Sequence, residues 1–309
     1  MRKKIEHIEI EPAMQVKELV DRMGKSGVFS AGRLAEAVDV YQDMIKNDAT
    51  IFMGIGGALV PGGLRQILAN VIYKGLVNVI VTTGANVTHD LIESFGGQHL
   101  RGEPAVDDTR LREQGISRIY DAYVPQKAFE LFEDRIQPLL AEVTKTDTRV
   151  SSTKLLREIG LHLDDRTSFL RAAAKRDIPV FAPALADSIL GLQAWLYSQD
   201  HELIIDSLLD VREMVELASV AKKSGAILLG GGVPKNFVLQ SMLLTPREFE
   251  YAIQITMDRP EHGGLSGATL EEAKSWGKIA PNARLATVIG DTTVIFPLLI
   301  TALLGRLGK

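Results

Sequence analysis

A lysine that follows a tryptophan by two residues, at the end of a short helical pattern, is a candidate amine nucleophile. The stretch Ser266-Gly267-Ala268-Thr269-Leu270-Glu271-Glu272-Ala273-Lys274-Ser275-Trp276-Gly277-Lys278-Ile279 concentrates that chemistry. Thr269 with Glu272 three residues later has the form of a capping box, so the spacing predicts a helix running to about Trp276, which Gly277 can end. Lys278 then lies just past the helix, beside an indole. An amine held against an aromatic wall and shielded from water has its charged form disfavoured, which frees the lone pair for imine formation. A helix C-terminus acts the other way and favours the cation. A surface lysine after a helix satisfies the same local spacing.

The rest of the composition narrows the chemistry. The 309 residues, 46% hydrophobic and 24% charged, suit an ordinary globular protein with a substantial core. A formal charge of -4 gives no global attraction to nucleic acid or an anionic membrane. There is no cysteine, and the six histidines form no close metal-ligand pair, so no metal is expected. The amino terminus carries charges on both sides of its few apolar residues, and no apolar run of about 18 residues follows. The expectation is a soluble, cytoplasmic protein with no nucleic-acid or membrane partner.

The elements that must position Lys278 follow from periodicity. Residues 1–47 read as an amphipathic helical segment, broken between Gly24 and Gly27, and 48–309 as an α/β domain. Thr50 to Met53 is a short buried strand followed by glycines and a helix to about Tyr73. Val77 to Val81 is the next strand, ending in Thr82-Thr83-Gly84-Ala85-Asn86, where small and hydroxylated residues let a ligand approach backbone donors. Residues 97–147 are a polar excursion with a strand-like run from Ile119 to Val124. Pro179 to Pro183 forms another strand tip, with Asp187 beyond it as a ribose acceptor or a helix cap. A helix from about Ile205 to Lys223 precedes Ala226-Ile227-Leu228-Leu229-Gly230-Gly231-Gly232, the clearest strand-to-glycine turn and a site where N–H groups can approach an anion. Phe249 to Thr256 is a strand, Ala286 to Ile289 the last strand, and Val294 to Leu304 the closing helix. The glycine spacing is not GxGxxG, so a tight-turn role stands beside a phosphate cradle. These units predict a single α/β domain with a mostly parallel, Rossmann-like sheet flanked by helices.

In order along the chain, Val81-Thr82-Thr83-Gly84, Leu111-Arg112-Glu113 with Gly115 to Ile119, Pro179 to Asp187, Leu229-Gly230-Gly231-Gly232-Val233, Ser266-Gly267-Ala268 with Ser275 to Ile279, and Phe296-Pro297-Leu298-Leu299 together resemble the deoxyhypusine synthase family. The resemblance covers nearly the whole chain from about Gly27 to Leu304. It implies a homotetramer, NAD as a cofactor that borrows a hydride, and a polyamine donor, spermidine, whose aminobutyl part moves onto a lysine and then to an acceptor amine. Lys278 stands at that lysine and Trp276 at the tryptophan lining the polyamine channel. Glu272 matches an acidic substrate contact. The resemblance assigns Gly57, Thr82, Thr83, Gly84, Asp187, Gly231, Gly232, Ser266, Gly267 and Asp291 to the cofactor.

The departures lie on the amine side. Thr88 and Leu192 occupy positions where the family has acidic residues that grip a polyamine nitrogen, and Leu265 replaces another. Asn236 stands where the family has the histidine credited with proton transfer. Losing carboxylates removes the charge-assisted bonds a desolvated ammonium needs. His89 and His262, each also readable as a polar loop residue, are the nearest in sequence that could supply a base. Three readings follow: transfer to a protein lysine, homospermidine synthase-like transfer to a free diamine, or a non-catalytic homologue that keeps NAD.

Overall fold

The computed structural model describes residues 3–308. In chain order the strands are β1 (Thr50–Ile55), β2 (Val79–Thr82), β3 (Leu100–Arg101), β4 (Ile116–Ile119), β5 (Ala122–Pro125), β6 (Arg149–Val150), β7 (Val180–Phe181), β8 (Ile204–Ile205), β9 (Ser224–Leu229), β10 (Phe249–Thr256) and β11 (Ile279–Ile289). The chain forms two compact units. The first holds the residues up to Gly56, Leu76–Val79 and those from Glu213 onward; the second holds Gly57–Gly75 and Ile80–Arg212.

In the first unit the strand order is β11-β10-β9-β1, every pair parallel. All six residues of β9 are buried, the continuous apolar run expected of a strand covered on both faces. Phe52 and Phe249 meet edge to face at 5.6 Å inside this core. Helices Val16–Ser26 and Phe29–Lys46 form a hairpin around Gly27, whose left-handed φ of 71° closes the first helix with a bond to Met23 O. Arg306 of the last helix, Thr292–Leu307, pairs with Asp21 of the first helix and Asp39 of the second.

In the second unit β2 and β7 pair in parallel, as do β6 and β8, while β3-β5-β4 form a small antiparallel sheet. The α/β class and the mostly parallel sheet flanked by helices are as the sequence predicts. Among the described residues no helix is long and apolar enough to cross a membrane.

Two elements differ from expectation. The run from Ile119 to Val124 is not one strand but a β4–β5 hairpin turning at Tyr120, whose φ is 55°. The last strand starts at Ile279, well before Ala286, because its first half is polar and contains Pro281, which hides the apolar alternation. The ladder register slips there, between Phe249↔Ile279 and Tyr251↔Arg284, so the proline falls where no regular ladder bond is required.

Candidate active site

In the first unit, Thr269 caps helix Leu270–Ser275 by accepting from Glu272 N at 3.1 Å. Gly277, at φ 66°, turns the chain out of the helix and into β11. The Lys278 backbone is fixed on both sides: its N–H donates to Ala273 O at 3.1 Å, and its carbonyl accepts from Phe249 N at 3.1 Å. From this base the Lys278 side chain carries its amine to 5.3 Å from the Trp276 ring centroid and 3.5 Å from Asn236 Oδ1. The indole stays largely exposed, so it forms a wall beside the amine rather than a lid. Asn236 donates through Nδ2 to Gln240 Oε1 at 2.9 Å, which settles the orientation of its amide.

Lys278, Trp276, Glu272, Leu265 and Lys235 line one pocket of about 40 Å³. That is room for the amine end of a ligand rather than a whole polyamine. Lys235 is the residue that sequence reasoning missed. It is 2% exposed and donates to Leu265 O at 2.9 Å and Ala268 O at 2.5 Å, tying down the loop that carries Ser266 and Gly267. Burial lowers its pKa to about 8, the carboxylates of Glu272 and Asp258 opposing and the Lys278 charge adding to the shift. Its position three residues after the triple glycine was the one available signal.

The cofactor candidates of this unit gather at the C-terminal ends of adjacent parallel strands. Gly231 follows β9, and a Cβ there would lie 2.3 Å from Ser266 Cα. A Cβ on Gly267 would lie 1.9 Å from Arg259 O, so both positions require glycine for close backbone approach. Gly232 starts helix Gly232–Gln240 at φ 67° and faces open space. Asp291 follows β11 and caps the last helix, accepting from Thr293 N at 2.6 Å. Lys278 enters β11 from the other end, yet its amine meets Asn236, one helical turn below Gly232. His262 is an exposed loop residue whose Nδ1 accepts from Gly264 N at 3.0 Å.

In the second unit, Thr83 caps helix Gly84–Ser94 directly after β2, accepting from Asn86 N at 3.2 Å. Buried Asn86 binds this turn to the glycine segment, donating to Gly57 O at 2.9 Å and Thr82 Oγ1 at 3.4 Å and accepting from Val60 N at 3.3 Å. Gly57, Thr82, Thr83 and Gly84 are thereby brought together. A Cβ on Gly84 would meet Ser188 Oγ at 2.4 Å, which places the 184–188 turn against the same helix start. Ser188, not Asp187, caps helix Ile189–Tyr197, so the cap alternative for Asp187 falls away and its carboxylate is exposed.

The glycine turns in each unit lead into helix N-termini, and Gly57 and Gly232 both have free space where a Cβ would stand. Open glycine turns of this kind suit close approach of a dinucleotide pyrophosphate to backbone N–H groups, as NAD would require. Thr88 offers nothing comparable to an ammonium. Its hydroxyl donates to Gly84 O at 2.9 Å and accepts from Leu190 N at 3.1 Å. Leu192 is 60% exposed and Leu265 38%. His89 sits within helix Gly84–Ser94, not in a loop, and is buried. Its Nδ1 lies 2.8 Å from His99 Nε2, and burial foremost, then His99, lowers its pKa to about 4.

Against known proteins, residues 18–303 match the family model of deoxyhypusine synthase. A Methanosarcina acetivorans protein described as "Probable deoxyhypusine synthase 1" is 48% identical over 302 residues, covering 97% of this chain and 94% of that one. The "Probable deoxyhypusine synthase" of Methanothermobacter thermautotrophicus is 43% identical over 304 residues, 98% of each. A crystal structure assigned to the same family, from Entamoeba histolytica, superposes with a TM-score of 0.67 over 96% of both chains at 19% identity, a likeness of fold. With a family match over nearly the whole length and relatives at 48% and 43% identity matched along nearly all of both chains, the chain belongs to the deoxyhypusine synthase family.

Proposed function

We propose that the protein is an NAD-dependent transferase that moves an aminobutyl group from a polyamine such as spermidine, through an imine on Lys278, to an acceptor amine. The observation that carries this reading is the Lys278 amine fixed between the Trp276 face and Asn236 Oδ1 in a pocket that also holds the Glu272 carboxylate. Bound NAD would supply hydride acceptance at the donor carbon next to nitrogen and hydride return to the final product. The residues that the resemblance assigns to it are Gly231, Gly232, Ser266, Gly267 and Asp291 in the first unit and Gly57, Thr82, Thr83, Gly84 and Asp187 in the second, each set described within its own unit.

The neutral Lys278 amine attacks the oxidised donor carbon. A C=N bond to Nζ forms, the C=N bond to the departing nitrogen breaks, and the two protons that Nζ gives up leave on that nitrogen as a neutral amine. An incoming acceptor amine then displaces Lys278 by the same steps in reverse. Asn236 directs Nζ but takes no proton, so the base lies elsewhere, with His89, buried and neutral near pH 7, and His262, whose Nδ1 lone pair already accepts from Gly264 N, as the two candidates from the sequence. Glu272 attracts the ammonium end of the amine.

The acceptor of first choice is a protein lysine, as the family implies. The apolar side chain of Leu265 in the first unit and, within the second, the apolar Leu192 and the spent hydroxyl of Thr88 favour a second reading, a free diamine as acceptor. Incubation with NAD and spermidine, putrescine or agmatine, followed by borohydride and peptide mass mapping, tests the mechanism. A reduced adduct on Lys278 is expected. No adduct with any of the three amines, with NAD binding intact, would leave an NAD-binding homologue without catalysis. Polyamine profiling with and without the protein separates the acceptors, new homospermidine marking the diamine.

A further inference from the structure

His89 does not stand alone in helix Gly84–Ser94. Glu93 lies four residues on, along the same helix face, and His99 returns from the segment after the helix to fill the space between them. His89 Nδ1 is 2.8 Å from His99 Nε2, and His99 Nδ1 is 2.7 Å from Glu93 Oε1. The His99 side chain is only 7% exposed, and the two rings sit 4.9 Å apart, tilted by 59°. Beyond Glu93 the chain ends in buried positive charge, with Arg65 Nη1 3.7 Å from Glu93 Oε2 and itself paired to Asp90 and Asp165.

With a neutral His99 ring, hydrogen-bond logic assigns the protons along this row. The bond from His99 foremost, and Arg65 in addition, hold the Glu93 carboxyl below its usual range, so Glu93 is ionised and can only accept. His99 Nδ1 must therefore carry the proton it donates. In the neutral ring His99 Nε2 is then bare and accepts, so His89 Nδ1 carries the next proton. One atom is left over: His89 Nε2, with a free lone pair.

We propose that Glu93 and His99 are positioning residues that hold His89 in the Nδ1–H form with Nε2 bare, and that the three together form a proton relay. A proton arriving at His89 Nε2 makes a new N–H bond there. The Nδ1–H bond of His89 breaks as its proton passes to His99 Nε2, and the positive charge comes to rest on His99 against the Glu93 carboxylate. One proton enters and none is lost. The relay lets a buried imidazole that resists charging by itself accept a proton from an amine, because the charge ends beside a carboxylate rather than in the apolar interior. The relay rests on the reading of His89 as the base.

The test is nitrogen spectroscopy of the full-length protein labelled with [15N]histidine at pH 7.5, with His89→Gln and His99→Gln used to assign the signals. Wild-type His89 is expected as a single Nδ1–H tautomer with unprotonated Nε2, and Glu93→Gln should mix or reverse it, since an amide can donate as well as accept. A His89 that carries its proton on Nε2 in the wild type, or a tautomer unmoved in Glu93→Gln, would overturn the relay. His99→Phe provides a second variant if Glu93→Gln misfolds, with the same loss of a single tautomer expected. Turnover separates the two levels. If the tautomer is as stated but His89→Gln retains wild-type kcat, the assignment of His89 as base fails while the relay geometry stands. Where both hold, Glu93→Gln should lower kcat at least about tenfold with KM little changed.

Discussion

Lys278 donates to Asn236 Oδ1 across 3.5 Å, and Asn236 is in turn oriented by its bond to Gln240 at 2.9 Å. An amide oxygen accepts from an amine but does not take its proton, so the pair aims the nucleophile without charging or discharging it. Asn236→Ala removes one long hydrogen bond of about 0.5–1 kcal/mol, and the rate of trapped-adduct formation should fall about two- to fivefold. Asn236→Asp should do more harm near pH 7, because a carboxylate favours the ammonium, and should recover as pH rises. Adduct formation followed against pH checks both; a rate in Asn236→Asp that does not rise with pH would speak against Nζ as the nucleophile.

Lys235 provides a stability prediction with a definite sign. Its pKa falls from 10.5 in the unfolded chain to about 8 in the fold. Between those values the unfolded state binds more protons than the native one, so stability rises with pH from about 8 to 10.5 and is lowest below 8. Relative to Lys235→Met, which does not titrate there, the wild type should gain about 3 kcal/mol between pH 7.5 and 10.5. Urea denaturation of both proteins at the two pH values measures the difference.

Arg65 is the hub of the second unit. Its guanidinium donates to Asp90 Oδ1 at 2.6 Å, to Asp165 Oδ2 at 2.6 Å and to Ser94 Oγ at 2.7 Å, and it also reaches Thr167. Asp90 is fully buried and accepts from Ser168 and Leu170 N as well. Arg65→Met leaves this carboxylate without its counter-charge and should cost about 3–5 kcal/mol. Arg65→Lys restores a charge but not the planar fork, so it should rescue only part of the loss in denaturation midpoint.

Neighbouring glycines should respond differently. A Cβ on Gly231 would press into Ser266 at 2.3 Å, whereas one on Gly232 meets open space and only the strain of φ 67°. Gly231→Ala should weaken NADH binding at least about tenfold by displacing the turn, since the nearest contact is backbone. Gly232→Ala should cost about 1–2 kcal/mol of stability from its left-handed backbone. Fluorescence titration with NADH, paired with urea denaturation, distinguishes them.

What the sequence determined by itself is local. Thr269 as a cap, Gly277 as the turn, β10 from Phe249 to Thr256, and the Trp276–Lys278 contact all depend on residues within a few positions of each other, where propensity and spacing act directly. Family membership was legible for a related reason, since it rests on short motifs in a fixed order. The tertiary structure decided what is brought together from far apart. Lys235 looked like any lysine after a glycine turn until the fold buried it against the carbonyls of Leu265 and Ala268. Asn236 met Lys278 across 42 residues. His89, read as a polar loop residue, became a buried helical imidazole because the chain folds back after Gly96 and Gly97 to bring His99 between it and Glu93. Burial and long-range contact set the surroundings of each of these groups, and neither is a property of any window of sequence.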